Sequence, residues 1–388
     1  MAQTQNQLIY LDYHSTTPTD KRVAEKVIYY MTRAFGNASS TDHSYGDESA
    51  QAVKKARQQV AELINASPKE IVFTSGATES INLAIQGHIA QQNSPSRLIV
   101  SPVEHKAVLD TCEVIAKKGL AEIVWLQVDQ QAHIDLEYLQ KVCQQGANLL
   151  CIMAANNEVG TIYPIEQIGQ IAQQYNIPFL CDASQAVGKV PINFEDCGIT
   201  YLAISGHKLY APKGIGALIV RKGYHLQPLI WGGGHQNGIR SGTLNVPGIV
   251  GLGEACHLRL LEMEEDEQAI ALLRDRLQAL LIERIPDLVI NGDINSRLAG
   301  NLHISIPGVP NSAIIARVRS KLAISTGAAC SSGTPAPSHV LRALGLSSEL
   351  LDGSLRIGIG KFTTQEEVEQ AANILSQAIS SITNSISD

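Results

Sequence analysis

At 388 residues, with 44% apolar and 17% charged residues, the chain can bury two full domain cores. A net charge of −7 gives no electrostatic reason to expect direct binding to nucleic acid or to an anionic membrane. No apolar run approaches a membrane-spanning length, and the opening Met-Ala-Gln-Thr-Gln-Asn-Gln lacks the basic flank and apolar core of a signal peptide, so a cytoplasmic protein is expected.

Residues 8–18 read as a short strand running into a turn, and residues 20–34 carry a helical pattern. Residues 35–46 are a polar, glycine-bounded loop, and residues 48–65 a strongly periodic helix. The first clear core strand, 70–74, runs into Ser75-Gly-Ala-Thr-Glu-Ser80 and a helix over 81–91. A strand, a glycine turn and a hydroxyl-rich helix start can hold an anion on free N–H groups, or can simply cap a helix. Gly-x-x-x-x-Gly-Lys-Ser/Thr is missing, so a nucleotide P-loop is not supported.

Strands and helices then alternate: strands at 98–101, 123–128, 149–154, 178–181 and 201–205, with helices at 106–118, 135–144 and 165–175 between the first four. This rhythm predicts an α/β fold with a mostly parallel sheet covered on both faces. Ligands of such sheets gather beyond the carboxyl ends of the strands. The polar residues there are Thr78, His105, Asn156-Asn157, Asp182 with Gln185, and His207-Lys208. Lys208 is either a solvated turn lysine or a desolvated nucleophile suited to Schiff-base chemistry. Asp182 is either a helix cap or the carboxylate that a pyridinium nitrogen requires.

Residues 231–245 are glycine-dense, and Arg240 and Thr243 among those glycines suit either a surface loop or close approach to a phosphate. A long helical stretch over about 247–284 links to a smaller α+β region, with strands at 287–291, 301–306 and 354–359 and helices near 310–320, 337–344 and 364–384. Arg356 is a charge inside an apolar strand pattern, and a substrate carboxylate is one partner that would suit it. The seven cysteines, at 112, 143, 151, 181, 197, 256 and 330, form no Cys-x-x-Cys pair and no zinc spacing, so free thiols are expected. Six sit in apolar contexts and read as core residues. Cys330 lies among small residues, glycine and proline, where a thiol is accessible and reactive if its thiolate is stabilised.

Taken together, these stretches resemble the cysteine desulfurases of the NifS/IscS type, in the class V aminotransferase family of pyridoxal-phosphate enzymes. The resemblance rests on Tyr10-Leu-Asp-Tyr…Ser-Thr-Thr-Pro18, Gly36-Asn…Ser-x-x-His43, Thr74-Ser-Gly-Ala-Thr-Glu-Ser80, Glu104-His105, Asn156-Asn-Glu-x-Gly160 and Asp182-Ala-Ser-Gln185. It continues through Ser205-Gly-His-Lys208, Gly232-Gly-Gly-His…Arg-Ser-Gly-Thr243 and Thr326-Gly-Ala-Ala-Cys330. It implies an aspartate-aminotransferase-like fold (fold type I). A large cofactor-binding domain over 17–260 would carry a seven-stranded type of sheet. A small domain from 1–16 and 261–388 would carry the Cys330 loop.

The resemblance also implies roles. Lys208 is the Schiff-base lysine, Asp182 the pyridinium partner and Gln185 the donor to the ring hydroxyl. His105 stacks on the ring and serves as an acid–base group. Ala77, Thr78, Ser205 and His207 cradle the phosphate, and Thr243 reaches it across a homodimer interface. Asn157, Arg356 and Asn37 bind the substrate, with Asn157 also against the cofactor, and Cys330 accepts the sulfur. The implied reaction converts L-cysteine to L-alanine and leaves a persulfide on Cys330 for an iron–sulfur scaffold or another acceptor. No resident metal is implied beyond a transient iron–sulfur contact through Cys330.

Two features depart from the family pattern. His14 stands where a small residue or Asn is usual, and the chain stops soon after its last predicted helix, which leaves the acceptor open. Two other readings remain at this level. One is transamination or β-elimination of cysteine or cystine without Cys330. The other is a scaffold protein whose Cys330 holds a cluster.

Overall fold

The computed structural model describes residues 8–92, 95–326 and 338–387, the last three for backbone only. Cys330, on which the sulfur-accepting role was placed, lies outside the described residues. The strands are β1 Ile9–Tyr10, β2 Ile71–Thr74, β3 Ser96–Val100, β4 Ala121–Trp125, β5 Leu149–Cys151, β6 Phe179–Asp182, β7 Tyr201–Ser205, β8 Gly216–Val220, β9 Val289–Ile290, β10 Asn301–Ser305, β11 Leu322–Ala323 and β12 Ser354–Gly358. The helices are α1 Lys21–Thr32, α2 Ser44–Leu63, α3 Ala77–Ile89, α4 Lys106–Lys117, α5 Leu136–Gln144, α6 Ile165–Gln174, α7 Val246–Arg284, α8 Asn311–Val318, α9 His339–Ala343, α10 Ser348–Asp352 and α11 Gln365–Ser387.

Seven strands form one sheet in the order β2-β8-β7-β6-β5-β3-β4. All neighbours are parallel except β8, which runs antiparallel to both β2 and β7. Successive side chains on a strand face opposite sides, and here both sides are apolar. On β7, Leu202 and Ile204 join one hydrophobic cluster, while Tyr201 and Ala203 join the other. Helices α2, α5, α6 and the first part of α7 pack on the first side, and α3 and α4 on the second.

A third cluster gathers Ile9 and Leu11, the strands β10 and β12, helices α8 and α11, and Ile270, Leu277 and Leu281 of α7. Helix α7 therefore runs from one core into another, with Ile249 and Leu252 in the first. Val340 and Leu341 of α9 also join the large cluster, although they lie late in the chain. The small sheet is β12-β10-β9, and β1 pairs with β11.

Three boundaries differ from the sequence reading for local reasons. Helix α2 starts at Ser44 because His43 caps it, its Nδ1 accepting the Gly46 N–H at 3.2 Å. Histidine is not among the favoured caps, so the polar loop seemed longer. Helix α3 starts at Ala77, before its apolar pattern begins, because Gly76 opens the turn. Strand β4 occupies 121–125, since its register opposite β3 begins at Ser96↔Ala121.

The six described cysteines are buried. Among the described residues no group of three or more His, Cys, Asp or Glu could hold a metal ion, and no helix is long and apolar enough to cross a membrane.

The glycine turn before α3 is pressed against β8. A Cβ on Gly216 would stand 2.4 Å from the Ile204 carbonyl oxygen and 2.7 Å from Gly76 Cα. Gly216→Ala is expected to lower stability by about 1–3 kcal/mol, as overpacking does, read as a lower urea midpoint.

Candidate active site

A cavity of about 410 Å³ opens beyond the carboxyl ends of β2, β6 and β7. Its lining includes Ala77, Thr78, His105, Asn157, Asp182, Gln185, Ser205, His207, Lys208 and Arg356, residues from six separate stretches of sequence. Parallel pairing sets Asp182 of β6 opposite Ala203 of β7. The chain then leaves β7 through the single turn Gly206–Lys208. The carboxylate and the lysine thus emerge from adjacent strand ends.

One end of the cavity suits an anion. Gly76 adopts φ 153°, open to glycine, and gives α3 no side-chain cap. The first N–H groups of this helix and its positive dipole end therefore face the cavity. Lys213, Ser205 and His207 stand around them. His207 has its proton affinity lowered to about 4, first by burial and then by Lys208 and Lys213. It is neutral near pH 7, and its Nδ1 lies 3.1 Å from Thr16 Oγ1. Arg240, considered as a phosphate contact, pairs instead with Glu79 at 2.8 Å. Glu79 also accepts the Ser75 N–H, so Arg240 braces the turn from outside.

The middle of the cavity carries Asp182, Gln185 and Lys208. Asp182 Oδ1 accepts both the N–H and the hydroxyl of Ser184, leaving Oδ2 for a donor in the cavity. Lys208 Nζ donates to the carbonyl oxygens of His14 at 2.5 Å and Ser15 at 2.7 Å. Gln185 Nε2 donates to the same His14 carbonyl at 2.9 Å. His105 caps α4, its Nδ1 accepting the Ala107 N–H at 3.1 Å, which puts the proton of the neutral ring on Nε2.

These groups fit pyridoxal phosphate. Lys208 offers an amine to an aldehyde, Asp182 Oδ2 an acceptor to a ring N–H, Gln185 an amide N–H to a ring hydroxyl, and the α3 start an anion cradle.

The far end suits a carboxylate. Arg356 is 2% exposed and lies on β12. Its terminal nitrogens donate to the Asn157 carbonyl, Asp12 and Ser15, while Nε has no partner. Arg356 lines the cavity, and a guanidinium at a cavity wall suits an anionic group. Of Asn156 and Asn157, only Asn157 lines the cavity; Asn156 is wholly buried and holds its own turn by accepting the Glu158 and Val159 N–H groups.

Two buried acids lie behind this wall, and the sequence reading missed both roles. Glu104 has its proton affinity pushed well up by burial and then by the Asp182 carboxylate. Glu158 is raised to about 7 by burial, opposed by Ser338, Arg356 and His105. Ser338 Oγ donates to Glu158 Oε2 at 2.5 Å, and Ser325 exchanges two backbone hydrogen bonds with Arg356. The two described flanks of the stretch 327–337 are therefore both tied to the cavity wall. The cue available in sequence was adjacency: Glu104 precedes His105 and Glu158 follows Asn157.

Other expected residues are elsewhere in the single chain. Asn37 is exposed, outside the lining, and its Oδ1 accepts the Ser39 N–H. Thr243 is also exposed and outside the lining. His14, unexplained in the sequence, is 3% exposed and lines the cavity beside Gln185. Met153 and Ala155 complete wall positions that no motif singled out.

The raised Glu158 has a testable sign. A carboxyl that holds its proton more tightly when folded costs stability above its folded value, near pH 7. That cost is relieved as pH falls toward its ordinary value of 4.5. Glu158→Gln is therefore expected to exceed the native chain in stability at about pH 8, by on the order of 1–3 kcal/mol, and to lose that advantage by about pH 5. Urea midpoints at both pH values check it.

The Aminotransferase class-V family matches residues 9–371. "Cysteine desulfurase IscS" of Rickettsia prowazekii is 45% identical over 374 residues, covering 96% of this chain and 91% of that one. A solved structure described as a "NifS-like protein" superposes with a TM-score of 0.90 at 34% identity, covering 96% of this chain and all of that one. Another, "SspA in complex with cysteine", gives 0.81 at 34% identity over 92% and 99%. A match over nearly the whole length, with the cavity residues in place, means that this chain belongs to the class V aminotransferase family of pyridoxal-phosphate enzymes.

Proposed function

We propose that the chain is a cysteine desulfurase: it takes sulfur from L-cysteine, releases L-alanine, and carries the sulfur on Cys330. The observation that carries this reading is the cavity itself. It joins an amine, a carboxylate and an uncapped helix start to a buried guanidinium with one N–H unsatisfied. The relatives at this level of identity are named for that activity.

Pyridoxal phosphate, when bound, supplies the electron sink for bonds at the substrate Cα and Cβ. The remaining work belongs to side chains. Arg356, with Asn157, receives the substrate carboxylate and sets the direction in which its thiol points. Lys208 takes up the Cα proton and returns it. His105 exchanges a proton with the departing sulfur through Nε2. Asp182 would accept a ring N–H, and burial of Glu104 behind it disfavours a second negative charge there. Ala77, Thr78, Ser205 and His207 hold the phosphate.

The sulfur step balances without an outside oxidant. The Cβ–S bond breaks and an S–S bond forms with the Cys330 thiolate, while Cβ gains hydrogen and becomes the methyl of alanine. The persulfide then passes its outer sulfur to an iron–sulfur scaffold or another acceptor thiol. A β-lyase reading would use the same pocket but would release pyruvate and would not need Cys330.

The reading includes a cytoplasmic homodimer with a large domain over 17–260 and a small domain formed by 1–16 and 261–388. Phe35 is 66% and Trp231 76% exposed, in the stretches that carry Asn37 and Thr243. Burying these rings against a second copy would bring both polar residues toward the partner's cavity.

Incubation with L-cysteine is expected to add one sulfur to the peptide holding Cys330 and to release alanine. Cys330→Ala should abolish sulfur transfer, and Lys208→Ala alanine release as well. Pyruvate in place of alanine would overturn the reading. Thr243→Ala is expected to weaken retention of pyridoxal phosphate by about tenfold, as loss of a charge-assisted hydrogen bond does, in proportion to the dimer fraction seen on sizing.

A further inference from the structure

Behind the cavity, outside its lining, lies a third lysine. Lys189 follows Gln185 by one helical-type turn, and its Nζ donates to Gln185 Oε1 at 2.9 Å. His14 Nδ1 reaches the same oxygen at 3.3 Å. On its other side, Gln185 donates from Nε2 to the His14 carbonyl at 2.9 Å. A carbonyl only accepts, so this contact identifies the nitrogen and sets the amide orientation. One Nε2 hydrogen is thereby used, and the second remains for a group in the cavity that Gln185 lines.

We infer that Lys189 is a positioning residue for the cofactor: with His14 it holds the Gln185 oxygen to the rear, so that an amide N–H faces the ring hydroxyl of pyridoxal phosphate. This rests on the proposed cofactor chemistry of the cavity. Without a donor at the rear, the amide could rotate and present its oxygen to the hydroxyl, weakening the contact or inverting its sense.

The surroundings suit such a role. Lys189, His14, Tyr210 and Glu267 line a separate cavity of about 10 Å³, room for about one water. Glu267 and Arg259 face Lys189 from α7, and Lys208 and Arg356 add positive charge from the front. Burial lowers the Lys189 proton affinity to about 7, Glu267 opposes that shift, and Lys208 and Arg259 add to it. Both forms of the amine carry an N–H, so the hydrogen bond to Gln185 does not require the charge. Burial and nearby cations hold His14 neutral, with its lone pair on Nε2 and no partner there, so Nδ1 keeps the proton that it donates. The residue that departs from the family pattern therefore acts as the second clamp on one amide oxygen.

The test uses full-length protein stripped of cofactor and titrated with pyridoxal phosphate, followed by its visible absorption. Lys189→Met removes the donor at similar volume and is expected to weaken binding about five- to tenfold, the effect of one lost hydrogen bond at a buried acceptor. Lys189→Gln keeps an N–H without the charge and should stay within about twofold of the native chain. In a Gln185→Ala background, Lys189→Met should have no further effect, because the two act through one contact.

Unchanged binding in Lys189→Met, even with a lower melting temperature, overturns the inference. So does an equal loss in Lys189→Met and Lys189→Gln, or an additive loss in the Gln185→Ala background. If Lys189→Met shows no cooperative melt, Lys189→Ser, which leaves space for water, takes its place with the same expected and overturning results. A native chain that takes up no pyridoxal phosphate overturns both this inference and the reading beneath it, whereas native uptake matched by Lys189→Met overturns this inference alone.

Discussion

The site depends on the parallel pairing of β6 with β7. Parallel strands end on the same side, so the residue closing β6 and the turn leaving β7 must meet there. Asp182 and Lys208 hold those places, with Asp182 opposite Ala203 across the pair. A one-residue slip would turn Asp182 toward the opposite face, into a cluster of leucines and isoleucines. The antiparallel β8 closes the other flank and presses Gly216 onto Gly76, which brings the anion cradle to the lysine.

A second constraint is laid over the first. The segment after β1 crosses the lysine turn and is fastened to it: the Thr17 N–H reaches the His207 carbonyl, and the Tyr210 N–H reaches Thr17 Oγ1. The carbonyls that receive Lys208 belong to this segment, as do Asp12 and Ser15, which hold Arg356. The lysine and the arginine come from different cores, and this one strap of backbone touches both. Lys361 anchors the strap's far end, with its ammonium 2.9 Å from Asp20 and 3.3 Å from Glu262 of α7. Both Lys361 and Asp20 are nearly inaccessible, and Arg22 also pairs with Asp20 at 2.8 Å, so the strap's end is held by a network of charges rather than by one pair.

Lys208, Lys213 and Arg356 line the cavity and give it positive charge suited to anionic groups. Asp182 is the carboxylate that lines the cavity, while Glu104 and Glu158 lie outside its lining and are driven toward neutrality by burial. Glu158 also links the cavity to the flank of the stretch that holds Cys330, through the Ser338 hydroxyl. The proton held at Glu158 is thus coupled to how that flank is anchored.

Some of this was legible in the chain itself. Continuous apolar runs in β7 and β8, and apolar runs ending in Asp182 and Ser205, specify buried strands and strand ends, because local sterics act over a few residues. Motif spacing identified Lys208, Asp182, Gln185, His105 and Arg356, which the fold gathers into one cavity. The roles of His14, Lys189, Glu104 and Glu158 were not legible, since each depends on a partner distant in sequence or on burial by another element. Arg240 shows the same limit in reverse: its glycine-rich surroundings suited a phosphate, yet Glu79 of α3 is its partner. The amino-acid sequence by itself determined the elements, their polarity and the chemical inventory at their ends. Only the tertiary structure decided which amide oxygen, carbonyl or guanidinium N–H each group would meet, because a hydrogen bond is settled within a few tenths of an ångström while sequence spacing resolves little finer than a helical turn.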